Sequence, residues 1–278
     1  MIIGLSVPDI LQDMFDLADA QAKLDRANEH RHELDAAIRS YLMDEPMALS
    51  QPEYDGASGH FLCRGHVALQ APPRLGAILG DYVNNVRCAL DYAIWALASD
   101  AGKATGKSKF PVCVTRAEFA NAGPQALRGL KPQDAAFVEQ VQPFAQLPER
   151  PEDHPLRILQ RLSNIDKHRV LHPLLSAARD ADPTAAGFRL VEGSGDLQHP
   201  QVNVGAPWQD GEPIVRVRLE PDDPTAKLEW FGQIDVEIVF GEARVRHEVI
   251  QQLWGIGQFV IQRLANDSPR PGTGQANL

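Results

Sequence analysis

Cysteine is scarce in this chain: three in 278 residues, at Cys63, Cys88 and Cys113, with no Cys-x-x-Cys pair. That excludes a dense disulfide framework and a thiolate zinc site, and reduced thiols in a cytoplasm are expected instead. Long apolar runs are missing too. None approaches the roughly 18–20 residues that cross a bilayer, so no membrane association is expected. The opening stretch MIIGLSVPDILQDMF lacks a basic leader and meets Pro8 and Asp9 early, which argues against a secretory signal. Positive charge is in deficit: 27 Lys+Arg against 37 Asp+Glu leave a formal net charge of −10. A surface of that sign does not attract nucleic acid over its whole area. No Gly-x-x-x-x-Gly-Lys or Gly-x-Gly-x-x-Gly loop is present to cradle a nucleotide phosphate, and no Gly-x-Ser-x-Gly elbow to expose a serine nucleophile. The Gly-Ser-Gly at 193–195 reads as a turn between strands.

What is there begins with an uneven charge. Residues 101–172 hold eleven Lys+Arg and seven Asp+Glu, a local +4 in an acidic protein, so an anionic partner such as RNA is expected there if anywhere. Apolar periodicity predicts one long helix from Pro8 to about Asp44, with a strongly polar middle, RANEHRHELD, covered on one side only. GHFLCRGHVALQ (59–70) alternates like a strand, and MALSQPEY pairs weakly with it. A second helix spans about Arg74–Ala98. Short helices follow near 115–121 and 131–140 in a stretch punctuated by Gly and Pro, and a third main helix runs from Pro155 until just before Pro173. From 186 to 241 the pattern changes to a small antiparallel sheet with one wet face. A last helix covers 243–265, with a stripe through Val249, Leu253, Ile256, Val260 and Leu264, and residues 268–278 form a disordered tail. The expected class is α+β, a single domain over 1–267: a helical core of the N-terminal, two central and C-terminal helices, with the sheet appended.

Two polar stripes stand out. On the third helix, at about 100° per residue, Arg157, Arg161, Asn164, His168 and His172 share an arc of about 80°, opposite Ile158, Leu159, Leu162 and Ile165. Asp166 and Arg169 fall inside the apolar arc, and Lys167 points elsewhere. On the second helix, Gly80, Asn84, Arg87 and Asp91 form a stripe within about 60°, and Gly80 leaves room for a close backbone approach. An Arg and an Asp one turn apart, with an Asn a turn before, hydrogen-bond either a partner helix or a ligand. In a structural reading Asp166 and Arg169 pair with Arg87 and Asp91 across two packed helices.

His168 and His172 have a zinc-chelating spacing, but Arg169 follows where a glutamate is needed, so no metal and no cofactor are expected. An Arg and a His on one helix suit metal-free RNA cleavage. The His moves a proton at the ribose 2′-hydroxyl or the leaving oxygen, and the Arg stabilises charge on phosphorus oxygens. Arg161 and His168 lie two turns apart, with Asn164 between them as a donor.

GDYVNNVRCALDYAIWAL together with RLSNIDKHRVLH resembles a group of bacterial proteins sharing Asn-x-Arg-x-x-Leu-Asp and Asp-Lys-His-Arg motifs, here Asn85–Asp91 and Asp166–Arg169. More remotely the chain resembles HEPN domains, helical bundles, often dimeric, of toxins and phage-defence proteins. Their ribonuclease members carry Arg-x(4–6)-His, usually with a polar residue after the Arg. The span Arg161–His168 has that spacing, with Leu162 in the polar place, while Arg87 reaches Tyr92 where a His would stand. The resemblance implies a metal-independent ribonuclease or RNA-binding protein, homodimeric, of a bacterial stress or phage-defence system. His168 is then the general acid/base, and Arg161 and Arg87 the phosphate contacts. Asn84, Asp91, Asn164, Asp166, Lys167 and Arg169 bind or orient. The alternative is a non-catalytic protein-interaction module whose Arg/Asp/His motifs form a buried structural network. A pocket lined by Arg87 and His168 would instead suit a small-molecule enzyme.

Overall fold

The computed structural model describes residues 17–169, 171–177, 187–203, 207–232, 234, 236–240 and 245–267. The start of the expected first helix, before residue 17, and the 268–278 tail lie outside them. The fold is α+β. Its residues divide into two compact units, one within 1–32, 78–170 and 248–278, the other within 33–77 and 171–247.

The first unit is helical. It contains most of α1 (Ala18–Met43), most of α2 (Pro73–Asp100), α3 (Arg116–Ala126), α4 (Pro132–Gln140), the single turn α5 (Pro143–Gln146), α6 (Pro155–Asp166) and nearly all of α7 (His247–Asp267). Along α1 the buried positions recur every three to four residues, at Ala20, Leu24, Ala27 and His30, while its other sides face water. One covered face was the expectation, and hydrophobic spacing is the reason. α2 is the most deeply buried element, with Leu79, Tyr82, Val83, Val86, Ala89, Leu90, Ala93 and Ile94 all sealed. Gly257 of α7 marks where three helices crowd: a Cβ there would meet Leu24 at 3.1 Å and Val86 at 3.2 Å. The Tyr82 hydroxyl donates to the Ile250 carbonyl nearby. On α7 the sealed stripe is Ile250, Leu253, Gly257, Val260, Ile261 and Leu264, so Val249 and Ile256 sit at its margin rather than its centre.

The second unit holds the strands, all paired antiparallel. β1 (Met47–Leu49), β2 (Glu53–Asp55), β3 (His60–Val67), β7 (Gln201–Val202) and β8 (Pro213–Val217) make the largest sheet, in the order β1-β3-β8-β7 with β2 also on β3. Phe61 sits opposite Val217 and Cys63 opposite Val215. β4 (Pro173–Ala177), β11 (Val236–Phe240) and β12 (Val245–Arg246) form a second sheet, β5 (Phe188–Glu192) with β10 (Lys227–Trp230) a third, and β6 (Asp196–Leu197) with β9 (Leu219–Glu220) a fourth. The expected sheet confined to 186–241 is thus corrected. Its best strand, β8, pairs with β3 from the N-terminal third, because both bury apolar side chains in two shared clusters around Phe61 and Cys63. Gly-Ser-Gly at 193–195 is a turn between β5 and β6. Gly193 has φ 103°, and a Cβ there would strike Asp223 at 2.7 Å. No helix among the described residues is long and apolar enough to cross a membrane.

Candidate functional site

α6 carries the centre of interest. Pro155 opens it, and His154 caps it, its Nδ1 accepting the Leu156 amide at 3.2 Å. That bond requires a neutral Nδ1, and burial holds the His154 imidazole below the usual histidine range. Leu156, Ile158, Leu159 and Leu162 bury one face. The helix stops at Asp166, six residues before the expected end. The Lys167 amide donates to the Ser163 carbonyl at 3.3 Å, and the His168 and Arg169 amides both donate to that of Ile165, at 3.0 and 2.8 Å. The reason for the early stop lies ahead in the chain. Pro173 cannot extend a helix and biases His172 toward extended backbone, and 173–177 pair with β11 instead. His168 and His172 therefore do not share a helix face. Among the described residues no cluster of three or more His, Cys, Asp or Glu side chains could hold a metal ion.

The polar residues separate into two groups within the helical unit. In the first, Asn84 Nδ2 donates to Asp166 Oδ2 at 2.7 Å, and Ser163 Oγ donates to Asn84 Oδ1 at 3.4 Å. Gly80 lies directly under the carboxylate: a Cβ there would stand 2.1 Å from Asp166 Oδ1. The close approach expected at Gly80 is thus used by a side chain of the facing helix. One turn on, Arg87 Nη2 donates to Asp91 Oδ1 at 2.7 Å and to the Phe110 carbonyl at 2.5 Å, while the Phe110 amide donates to the same Asp91 oxygen at 2.9 Å. The expected pairing of Asp166 and Arg169 with Arg87 and Asp91 is corrected here. Asp166 meets Asn84, and the Arg87–Asp91 pair closes on itself and on a backbone strap. The strap's other end is held by Gln142, fully buried, which accepts from the Cys113 amide and donates to the Pro111 and Val138 carbonyls. Nothing in the spacing of Phe110 or Gln142 announced these roles, because both contacts are long-range. With side chains 12% and 32% exposed, Arg87 and Asp91 are largely withdrawn from solvent.

The second group is open. Arg157, Arg161, Asn164, Ile165, His168 and Arg169 line a groove of about 270 Å³. Arg161, Asn164 and His168, expected to act together, are together here, while Asn84, Arg87, Asp91, Asp166 and Lys167 are not among its lining residues. Arg169, expected in the apolar arc, is exposed at the groove instead, because the helix ends before reaching it. Arg157 joins as a lining residue through its place one turn before Arg161. It is paired with Glu152 at 2.8 Å. Arg161 Nε is shut off from solvent and has no hydrogen-bond partner among the described residues. Arg87 Nη1 is sealed and without a partner in the same way, and each such buried donor costs roughly 1–3 kcal/mol. Three guanidinium groups, an imidazole and an amide thus line one groove, and guanidinium forks are donors that match the oxygens of an anion.

No protein-family model, curated protein or solved structure matches the chain significantly.

Proposed function

We propose that the groove binds the phosphodiester backbone of RNA, and that the protein is a metal-independent ribonuclease or RNA-binding protein of the HEPN kind. The groove lined by Arg157, Arg161, Asn164, His168 and Arg169 carries this reading. Arginine forks match phosphate oxygens, and imidazole is the side chain that exchanges protons near neutral pH. In the reaction, the ribose 2′-oxygen attacks phosphorus as the bond to the 5′-oxygen breaks, leaving a 2′,3′-cyclic phosphate and a 5′-hydroxyl. His168 takes the 2′-proton or delivers one to the leaving oxygen, and water makes the other transfer. Arg161 faces the charge that develops on the non-bridging oxygens, and Asn164 orients the phosphate. Arg87 then serves the fold rather than the phosphate, since Asp91 and Phe110 engage it. The three free cysteines fit a cytoplasmic setting, and the motif resemblance supplies the stress or defence context and the homodimer.

The test is incubation of purified protein with single-stranded RNA in chelator. Cleavage to 2′,3′-cyclic ends is expected, falling roughly 10²-fold or more in His168→Ala with melting temperature unchanged. RNA that is bound but stays intact leaves only the binding half of the reading. RNA neither bound nor cut removes both.

A second reading rests on a different observation: Glu152 already sits on Arg157, so these guanidinium groups accept carboxylates. The protein is then a non-catalytic interaction module, its Asn84–Asp166 and Arg87–Asp91 contacts purely structural. Displacement of bound RNA by an acidic peptide at equal charge would favour it.

A further inference from the structure

We infer that Asn84, working with Gly80, is a positioning residue for the groove, although neither lines it; the inference rests on the RNA reading above. Asn84 engages α6 at two points one turn apart. Its amide nitrogen donates to Asp166 and its oxygen accepts from Ser163, which is itself 2% exposed. Few side chains can do both. Asp lacks the donor, Ala lacks both groups, and Gln places them a bond too far. The absent Cβ of Gly80 provides the seat into which the Asp166 carboxylate fits.

The staple acts on the groove through Ile165. Ser163 and Asp166 bracket it in the chain. Its carbonyl receives both the His168 and the Arg169 amides, and Ile165 itself lines the groove. Beyond Asp166 the helix has ended, and those two amide bonds hold His168 and Arg169 in one last turn, at the groove they line with Arg161. Releasing Asn84 frees the last turn, and a helix end without tertiary anchoring frays. Two of the five polar groups of the site would then lose their place while Arg157 and Arg161 keep theirs.

The experiment uses the full chain and a fluorescein-labelled ten-nucleotide single-stranded RNA, read by anisotropy well below the lowest melting temperature of the set. Arg161→Ala, which touches the groove, weakens binding roughly tenfold or more. Asn84→Ala weakens it by roughly three- to thirtyfold, the range of couplings carried through packed elements. Asp166→Asn keeps an oxygen for Asn84 Nδ2 and restores binding to near the wild-type level. Tyr82→Phe loses a buried hydrogen bond elsewhere in the same unit, so it lowers melting temperature and leaves binding alone. Amide hydrogen exchange in Asn84→Ala quickens at His168 and Arg169 but not at Leu156–Ile158. If Asn84→Ala does not fold, Asp166→Ala, which empties the Gly80 seat, stands in for it with the same expectation. Wild-type affinity in Asn84→Ala, beside a weakened Arg161→Ala, overturns the positioning role and leaves the groove standing. Wild-type affinity in Arg161→Ala overturns the groove reading itself.

Discussion

Arg87 and Arg161 are both half-hidden arginines on neighbouring long helices, each within a motif that could serve a phosphate, yet their surroundings differ. Arg87 is clasped by Asp91 and by both peptide groups of Phe110. Each guanidinium has one sealed nitrogen without a partner among the described residues, Arg87 Nη1 and Arg161 Nε, but Arg161 lies beside a groove that Arg157, His168 and Arg169 also line. An ion pair that also holds a loop is spent on the fold. A guanidinium that borders an open groove can still meet an anion that arrives from outside. Residue type is the same in both cases, so the partners tell the two roles apart.

That contrast can be broken by experiment. The largest effect is expected for Arg87→Ala. It takes the counter-charge from Asp91, which keeps the Phe110 amide, and strands the Phe110 carbonyl; it should cost about 2–3 kcal/mol, less than a fully buried pair because Asp91 is a third exposed. Thermal melting should fall by several degrees with RNA affinity within about twofold of wild type. A large loss of affinity at unchanged melting temperature would reverse the roles assigned to the two arginines. Arg161→Ala should do the opposite: melting temperature level or slightly raised, affinity reduced, and the slope of log affinity against log salt shallower by about one unit. A salt slope that does not move would mean Arg161 meets no phosphate. Glu152→Gln comes next. Freeing Arg157 from its carboxylate should tighten RNA binding by no more than a few-fold, since an exposed pair of this kind is worth about 0–1 kcal/mol. Weaker binding in that variant would argue that Glu152 belongs to the site.

The smallest effect concerns the start of α6. Burial depresses the folded-state value of His154, so the unfolded chain binds that proton more readily. Its contribution to stability is therefore complete above the ordinary histidine value, about 6.5, and declines as pH falls from there toward the folded value. His154→Asn keeps a capping acceptor without the titration and should flatten the melting-temperature profile in that window. An identical profile in the variant would show that another group is responsible.

Much of the helical unit was legible in the residue pattern. α2 was readable almost to its ends because apolar positions recur at 3–4 spacing, and Gly80 was recognisable as a point of close approach. The Arg161–Asn164–His168 stripe was visible as well. The end of α6 was not, since helical periodicity continues formally through Arg169 and His172. Pairing of 173–177 with 236–240 competes with it, and that competitor lies sixty residues away. The Phe110 strap and Gln142 left no local trace for the same reason.

Spacing along the chain was enough to determine the class of fold, the helix faces and the gathering of arginines and a histidine on α6 and just beyond its end, because apolar periodicity and side-chain chemistry are local properties. Which arginine is tied into the fold and which borders the groove was decided only in three dimensions. Hydrogen-bond saturation depends on groups brought from distant positions, Phe110 to Arg87 and Asn84 to Asp166, and no residue carries its partner's address in its own neighbourhood.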